Sequence, residues 1–119
     1  MRVEETRKII NGTVYDINKA TLIGTGANLL GVDTDDQSEI NYFVETNDSL
    51  VVEQLYKTED GQFFVYGKGG NMSGYSERYV TGRGAGSDIW LIDEENVPDF
   101  LEKYELVDEF INFTDNANN

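Results

Sequence analysis

The chain of 119 residues contains no cysteine and no histidine. Without cysteine there is no disulfide, no thiolate nucleophile and no zinc–thiolate centre. Without histidine the commonest general base, the commonest metal ligand and the usual partner of a serine nucleophile are missing. Any catalysis has to run on carboxylates, tyrosine or lysine. A single proline argues against extended linkers. No apolar run approaches the roughly 18 residues of a membrane-spanning helix. The opening stretch MRVEETRKII has no signal-like apolar segment, so a cytoplasmic location is the expectation. Basic residues are scarce too: nine Lys and Arg stand against 23 Asp and Glu, a net charge of -14.

What is present is aromatic and acidic. Seven Tyr, six Phe and one Trp supply bulk for a folded core, and the length suits one domain. The acids are unevenly placed. Residues 31–60 carry nine acids and only Lys57, and residues 88–119 carry ten and only Lys103. Between them, residues 61–87 hold Glu77 against Lys68, Arg78 and Arg83. Such a chain repels phosphate backbones, which argues against direct nucleic-acid binding and makes a basic protein surface the expected partner. Solubility alone accounts for the same charge. The N-x-S/T matches at Asn11, Asn47, Asn71 and Asn112 read as chance in an Asn-rich chain.

Along the chain, turn chemistry is the clearest signal. RKIINGTVYD predicts a hairpin about Asn11-Gly12, the preferred pair of a type I′ turn. Thr21 to Ile23 reads as a short strand ended by Gly24 and Gly26. VDTDDQSE reads as an acidic loop, and Ile40 to Glu45 as a strand. Leu50 to Tyr56 fits either period and tilts to strand; Asp60-Gly61 then turns it back through Phe63 to Tyr66, closing a second hairpin. ERYV and SDIWLID are two further strands. Val97, Phe100, Leu101, Tyr104, Val107 and Ile111 recur at helical spacing, which predicts one C-terminal helix with that stripe buried. Asn96 is its expected N-cap and Pro98 falls in its first turn. The expected fold is α+β: a small curved antiparallel sheet of about five to seven short strands, with one C-terminal helix packed on it. Residues 1–112 form the expected domain and 113–119 a frayed tail.

Three stretches resemble functional motifs and fail their tests. GKGGNMSGY lacks the G-x-x-x-x-G-K-[ST] of a phosphate-binding loop. It also lacks G-x-G-x-x-G, since Met72 stands at the sixth place; GTGANLLG fails likewise at Leu29. Gly67, Gly69, Gly70 and Gly74 are read instead as letting a strand cross closely over something. Asp33, Asp35 and Asp36 are spaced as calcium ligands begin, but Ser38 and Val44 stand where an EF-hand loop needs Gly and Glu. Asp93, Glu94 and Glu95 suit the start of a helix, where its dipole favours negative charge. Arg78 and Arg83 can bind an anion or pair with the chain's own carboxylates. No catalytic residue, metal ligand or cofactor is expected. An enzyme would have to use Tyr66, Tyr75, Arg78 and neighbouring carboxylates around the glycine loop.

RKIINGTVYDINKATLIG and LYKTEDGQFFVYGKGGNMSGY resemble a family of small acidic proteins carried by phages and conjugative elements of Gram-positive bacteria. That family is marked by R-K-I-I-N-G-x-x-Y-D and by L-Y-x-T-x-x-G-x-[FW]-F-[LV]-Y-G-x-G-G-x-M-S-x-Y. The resemblance covers about a third of the chain. Asp16-Ile17-Asn18 where the family continues Asp-Thr-x-Thr, a longer segment from Ala27 to Asp48 and a tail beyond Tyr104 depart from it. Small acidic proteins of such elements include inhibitors of host defence, type II-A anti-CRISPRs among them. The resemblance therefore implies a mobile-element protein with an anti-defence role; taken with the small size and the two acidic blocks, the expected activity is occupation of a basic surface of a nucleic-acid-binding defence protein such as Cas9. Its expected contacts are Asp93, Glu94, Glu95, Glu102, Glu105 and Glu109 on the helix, with Asp33, Asp35 and Asp36 in the loop. Tyr75, Arg78 and Tyr79 form a second candidate face. An accessory protein binding a partner encoded by the same element is the alternative.

Overall fold

Asn11 and Gly12 adopt φ of 52° and 82°, as a tight I′ turn requires. The hairpin they join pairs β1 (Arg7–Ile10) with β2 (Thr13–Asp16). The computed structural model describes residues 6–29, 31–79 and 82–117. β3 (Thr21–Ala27), β4 (Val51–Lys57), β5 (Phe63–Gly69) and β8 (Gly86–Ile92) form one antiparallel sheet in the order β3-β4-β5-β8. A short hairpin of β6 (Glu77–Tyr79) and β7 (Gly82–Gly84) lies between β5 and β8 in the chain. The expected α+β architecture is present, with its sheet and both predicted hairpins. Val80, expected at the end of a strand, lies outside the described residues.

The sheet is covered on both faces, so β4 and β5 are buried along nearly their whole length, polar residues included. One face presents Tyr56, Phe64, Tyr66 and Ile89 to Tyr15 and Ile17 from the hairpin side. Towards the other end of that face, Val52 packs with Ile40 and Val44 of α1 (Gln37–Thr46). The opposite face presents Leu55, Phe63 and Val65 to Val97, Phe100 and Leu101 of α2 (Val97–Lys103), and to α3 (Val107–Ala117).

Four expectations are corrected. Ile40 to Glu45 is helix, not strand. Ile40 and Val44 are one helical turn apart and both buried, while Tyr42 between them is turned out. Asp36 caps this helix, accepting from the Ser38 and Glu39 amides at 2.9 and 3.1 Å. β3 does not stop at Ile23 but bulges there and runs through both glycines to Ala27. The C-terminal helix begins at Val97 as expected but is two helices, parted at Glu105. Lastly, helix continues past residue 112 to Ala117, because Phe113 turns its ring edge-on to Phe63 at 5.9 Å.

The break is a Schellman motif. The Leu106 amide donates to Leu101 O at 2.9 Å and the Glu105 amide to Glu102 O at 3.0 Å. Glu105 holds the left-handed position at φ 55° that glycine usually takes, a cost of about 1–2 kcal/mol. Leu106 packs in the same cluster as Leu101, the apolar contact that accompanies this motif. The break re-registers the apolar stripe. Leu106, Phe110 and Phe113 face the sheet, and Val107 and Ile111, expected inside, are exposed. Phe100→Ala should accordingly cost about 3–5 kcal/mol. Ile111→Ala should change stability by no more than about 0.5 kcal/mol, both read from urea denaturation.

Candidate functional site

The registers place Gly26, Glu53, Gly67 and Asp88 side by side across all four strands, on the face covered by α2 and α3. Glu53 is only 7% exposed. A buried carboxylate must be hydrogen-bonded or neutralised, and its two glycine neighbours leave room for the groups that do so. Tyr75 lies over Gly67, where an added Cβ would fall 2.0 Å from the ring. Tyr104 lies over Gly26, where it would fall 2.1 Å from the ring. Tyr75 Oη donates to Glu53 Oε2 at 2.5 Å, and Tyr104 Oη donates to Glu53 Oε1. Trp90 Nε1 donates in turn to Tyr75 Oη at 2.9 Å. Lys103 Nζ stands 3.5 Å from Glu53 Oε1 and 5.1 Å from the centre of the Tyr104 ring.

Electrostatically the site favours neutral phenols beside a charged acceptor. Burial, then donation to Glu53, holds both Tyr75 and Tyr104 well above the ordinary phenol range. On the opposite face, burial and then the charge of Asp35 push Tyr56 up to about 12. Beside the carboxylate, a groove of about 430 Å³ runs between β8 and α2, lined by Glu53, Trp90, Asp93, Asp99, Phe100 and Lys103 among others. A second cavity, of about 420 Å³, adjoins the glycine loop and is lined by Arg7, Lys8, Gly74, Tyr75, Ser76 and Asp88 among others. Lys8 spans it to Asp88 at 2.7 Å, and Ser76 Oγ accepts from Arg83 Nε at 3.0 Å, so the serine faces a guanidinium rather than a base. Among the described residues no group of three or more acids is placed to hold a metal ion.

The expected contact residues are not all together. Asp93, Glu94, Glu95, Glu102 and Glu105 are exposed around α2, and Glu109 on α3 is half-buried. Glu94 and Glu109 meet at a groove that also takes in Lys57 and Phe113. Asp33, Asp35 and Asp36 precede α1, which packs on the other face of the sheet. Asp36 is further committed to its helix cap, and its hydrogen bonds, that from the Ser38 hydroxyl foremost, hold its carboxyl below the usual range. Of the second candidate face, two side chains are described. Arg78 is exposed, Tyr75 is turned inward onto Glu53, and the side chain of Tyr79 lies outside the described residues. Among the described residues Arg83 binds Ser76 and meets no carboxylate. Glu53, Trp90 and the phenol of Tyr104 are absent from the sequence expectation. The available signal was glycine inside two strands, which marks close approach of another group.

No known protein family, curated protein or solved structure matches the chain.

Two outcomes follow from the geometry. Gly67→Ala should destabilise by about 1–3 kcal/mol, because the Tyr75 ring above it is held at its hydroxyl by Glu53 and Trp90. Gly74→Ala, whose Cβ meets nothing within 4 Å, serves as the control in the same denaturation series. Stability should also fall in alkali. Unfolded tyrosines ionise near pH ~10, whereas Tyr75 and Tyr104 stay protonated in the fold. Their contribution is therefore complete below that pH and is lost as pH rises through it towards their folded values. Denaturation measured across alkaline pH should show a shallower decline for Tyr104→Phe than for the parent.

Proposed function

We propose that this protein is a non-catalytic binding protein that presents an acidic helical face to a basic protein surface. One observation carries the reading. Phe100, Leu101, Leu106, Phe110 and Phe113 pack towards the sheet, and Asp93, Glu94, Glu95, Asp99, Glu102, Glu105 and Asp108 are left exposed, with Val107 and Ile111 among them. Lys103, the base among them, leans towards Glu53. The result is a rigid display of carboxylates with few counter-charges.

The resemblance to mobile-element proteins gives the proposal its concrete form: inhibition of a Cas9-type effector in the cytoplasm of a bacterial host. Such effectors hold nucleic acid in positively charged channels that read backbone shape and charge. Carboxylates on a folded scaffold substitute there for phosphates, and the partner is bound without nucleic acid or membrane. No helix among the described residues is long and apolar enough to cross a membrane. The acids ahead of α1 lie across the sheet from α2 and α3 and are not assigned to this contact.

A cleavage assay with purified Cas9 and guide tests the proposal. Charge reversal of Glu94, Glu95, Glu102 and Glu105 to Lys should abolish inhibition and leave the fold intact, since exposed substitutions usually stay within about 0.5 kcal/mol each. Inhibition by the parent should weaken with added salt, as exposed charges are screened beyond ~8 Å at physiological ionic strength. Full cleavage at a large molar excess of the parent, across several Cas9 homologues, removes direct inhibition.

A further inference from the structure

The groove between β8 and α2 combines three features that together describe a receptor for one kind of side chain. Its floor is a buried carboxylate, Glu53, whose side chain is only 9% exposed. Tyr75 and Tyr104 each take one lone pair, on different oxygens. A carboxylate offers about four such positions, so acceptor capacity remains on the groove side. Its walls carry two more carboxylates, Asp93 and Asp99, and two aromatic side chains, Trp90 and Phe100. Its mouth already holds a cation of the chain itself. The Lys103 ammonium sits 3.5 Å from Glu53 and over the Tyr104 ring, yet its side chain is 65% exposed. That ammonium marks where positive charge is favoured and holds the place only loosely.

We propose that this groove receives an arginine side chain of the partner protein, the guanidinium displacing the Lys103 ammonium above Glu53. The assignment rests on the acidic-face function proposed above and names the chemistry at one point of that contact. A guanidinium suits the site better than a second ammonium. It is planar, is weakly hydrated, stacks on aromatic faces and spans two carboxylates with its fork of donors. Three carboxylates against one resident ammonium leave negative charge for it to meet.

Titration with tetra-arginine amide at near-physiological salt, followed by the fluorescence of Trp90, tests the proposal; Trp90 is the sole tryptophan. A saturable change is expected. Asp93→Asn with Asp99→Asn should weaken binding about ten-fold, whereas Glu45→Gln with Glu59→Gln, an equal charge change at exposed sites outside both the groove and the acidic helical face, should weaken it no more than about two-fold. Lys103→Ala should tighten binding more than Lys19→Ala, which alters the net charge equally at an exposed site away from the groove. Circular dichroism checks each fold, and if the groove acid pair unfolds, the lysine comparison decides. Equal weakening by the two acid pairs, equal effects of the two lysine variants, or an unmoved Trp90 signal while calorimetry records binding would each overturn the groove. Tetra-lysine amide binding as tightly overturns the guanidinium assignment. Because Cas9 is absent from this titration, failure of the groove and failure of Cas9 inhibition are read separately.

Discussion

The carboxylate of Glu53 is the constraint from which much of this structure follows. A charge in the middle of a covered sheet is costly unless it is fully satisfied. Here the donors come from two distant parts of the chain, Tyr75 after the glycine loop and Tyr104 at the end of α2. Each phenol has to lie flat enough on the sheet to reach the carboxylate, so the flanking strand positions, Gly26 and Gly67, carry no side chain. The glycine loop is thus explained by what lies on it. Its strand stays in the sheet to Gly69, and the following segment folds back across it. The break after α2 belongs to the same arrangement, since it directs α3 away on a new register immediately after Tyr104 has reached Glu53.

The other face of the sheet holds a counterpart of opposite sign. Lys68 is 2% exposed and donates to Gln37 Oε1 at 2.6 Å and Asn41 Oδ1 at 2.5 Å on α1, with the Tyr66 ring 5.0 Å away. Its register partner Val52 directly precedes Glu53. Each covering layer is therefore tied to the sheet by a buried charged group as well as by apolar packing. Apolar residues of similar volume often give equal stability in such places. What a charged anchor adds is placement: α1 is positioned by two polar side chains that must meet one ammonium, and α2 by one phenol that must meet one carboxylate.

The parts legible in the sequence were those whose cause is local. Asn11-Gly12 and Asp60-Gly61 announce their hairpins because turn geometry is set by the turn residues themselves. The start of α2 is legible for the same reason, from Pro98 in its first turn; Asn96 stands at the cap position but its side chain makes no cap hydrogen bond. α1 was not, because Ile40, Tyr42, Phe43 and Val44 form a short apolar run that fits both periods, and only packing against Val52 and Leu50 decides it. The α2–α3 break carries no glycine or proline signal; Glu105 fills the left-handed position and the apolar pairing of Leu101 with Leu106 compensates. Glu53 was hidden because an acid in a strand ordinarily marks a solvent-facing position. Its partners lie 22 and 51 residues away, beyond any local pattern.

The two phenols over glycine have an unusual dynamic property. A tyrosine hydroxyl lies on the axis about which its ring turns over, so a half-turn of the ring leaves the oxygen in place. For Tyr75 and Tyr104 the bond to Glu53 therefore survives ring reversal and opposes it only by turning the O–H out of the ring plane at the half-way point. What chiefly opposes it is sideways contact, with the bare backbone of Gly67 or Gly26 beneath each ring and the neighbouring side chains around it. The rate at which these rings turn over thus reports chiefly how closely loop and helix are pressed onto the sheet.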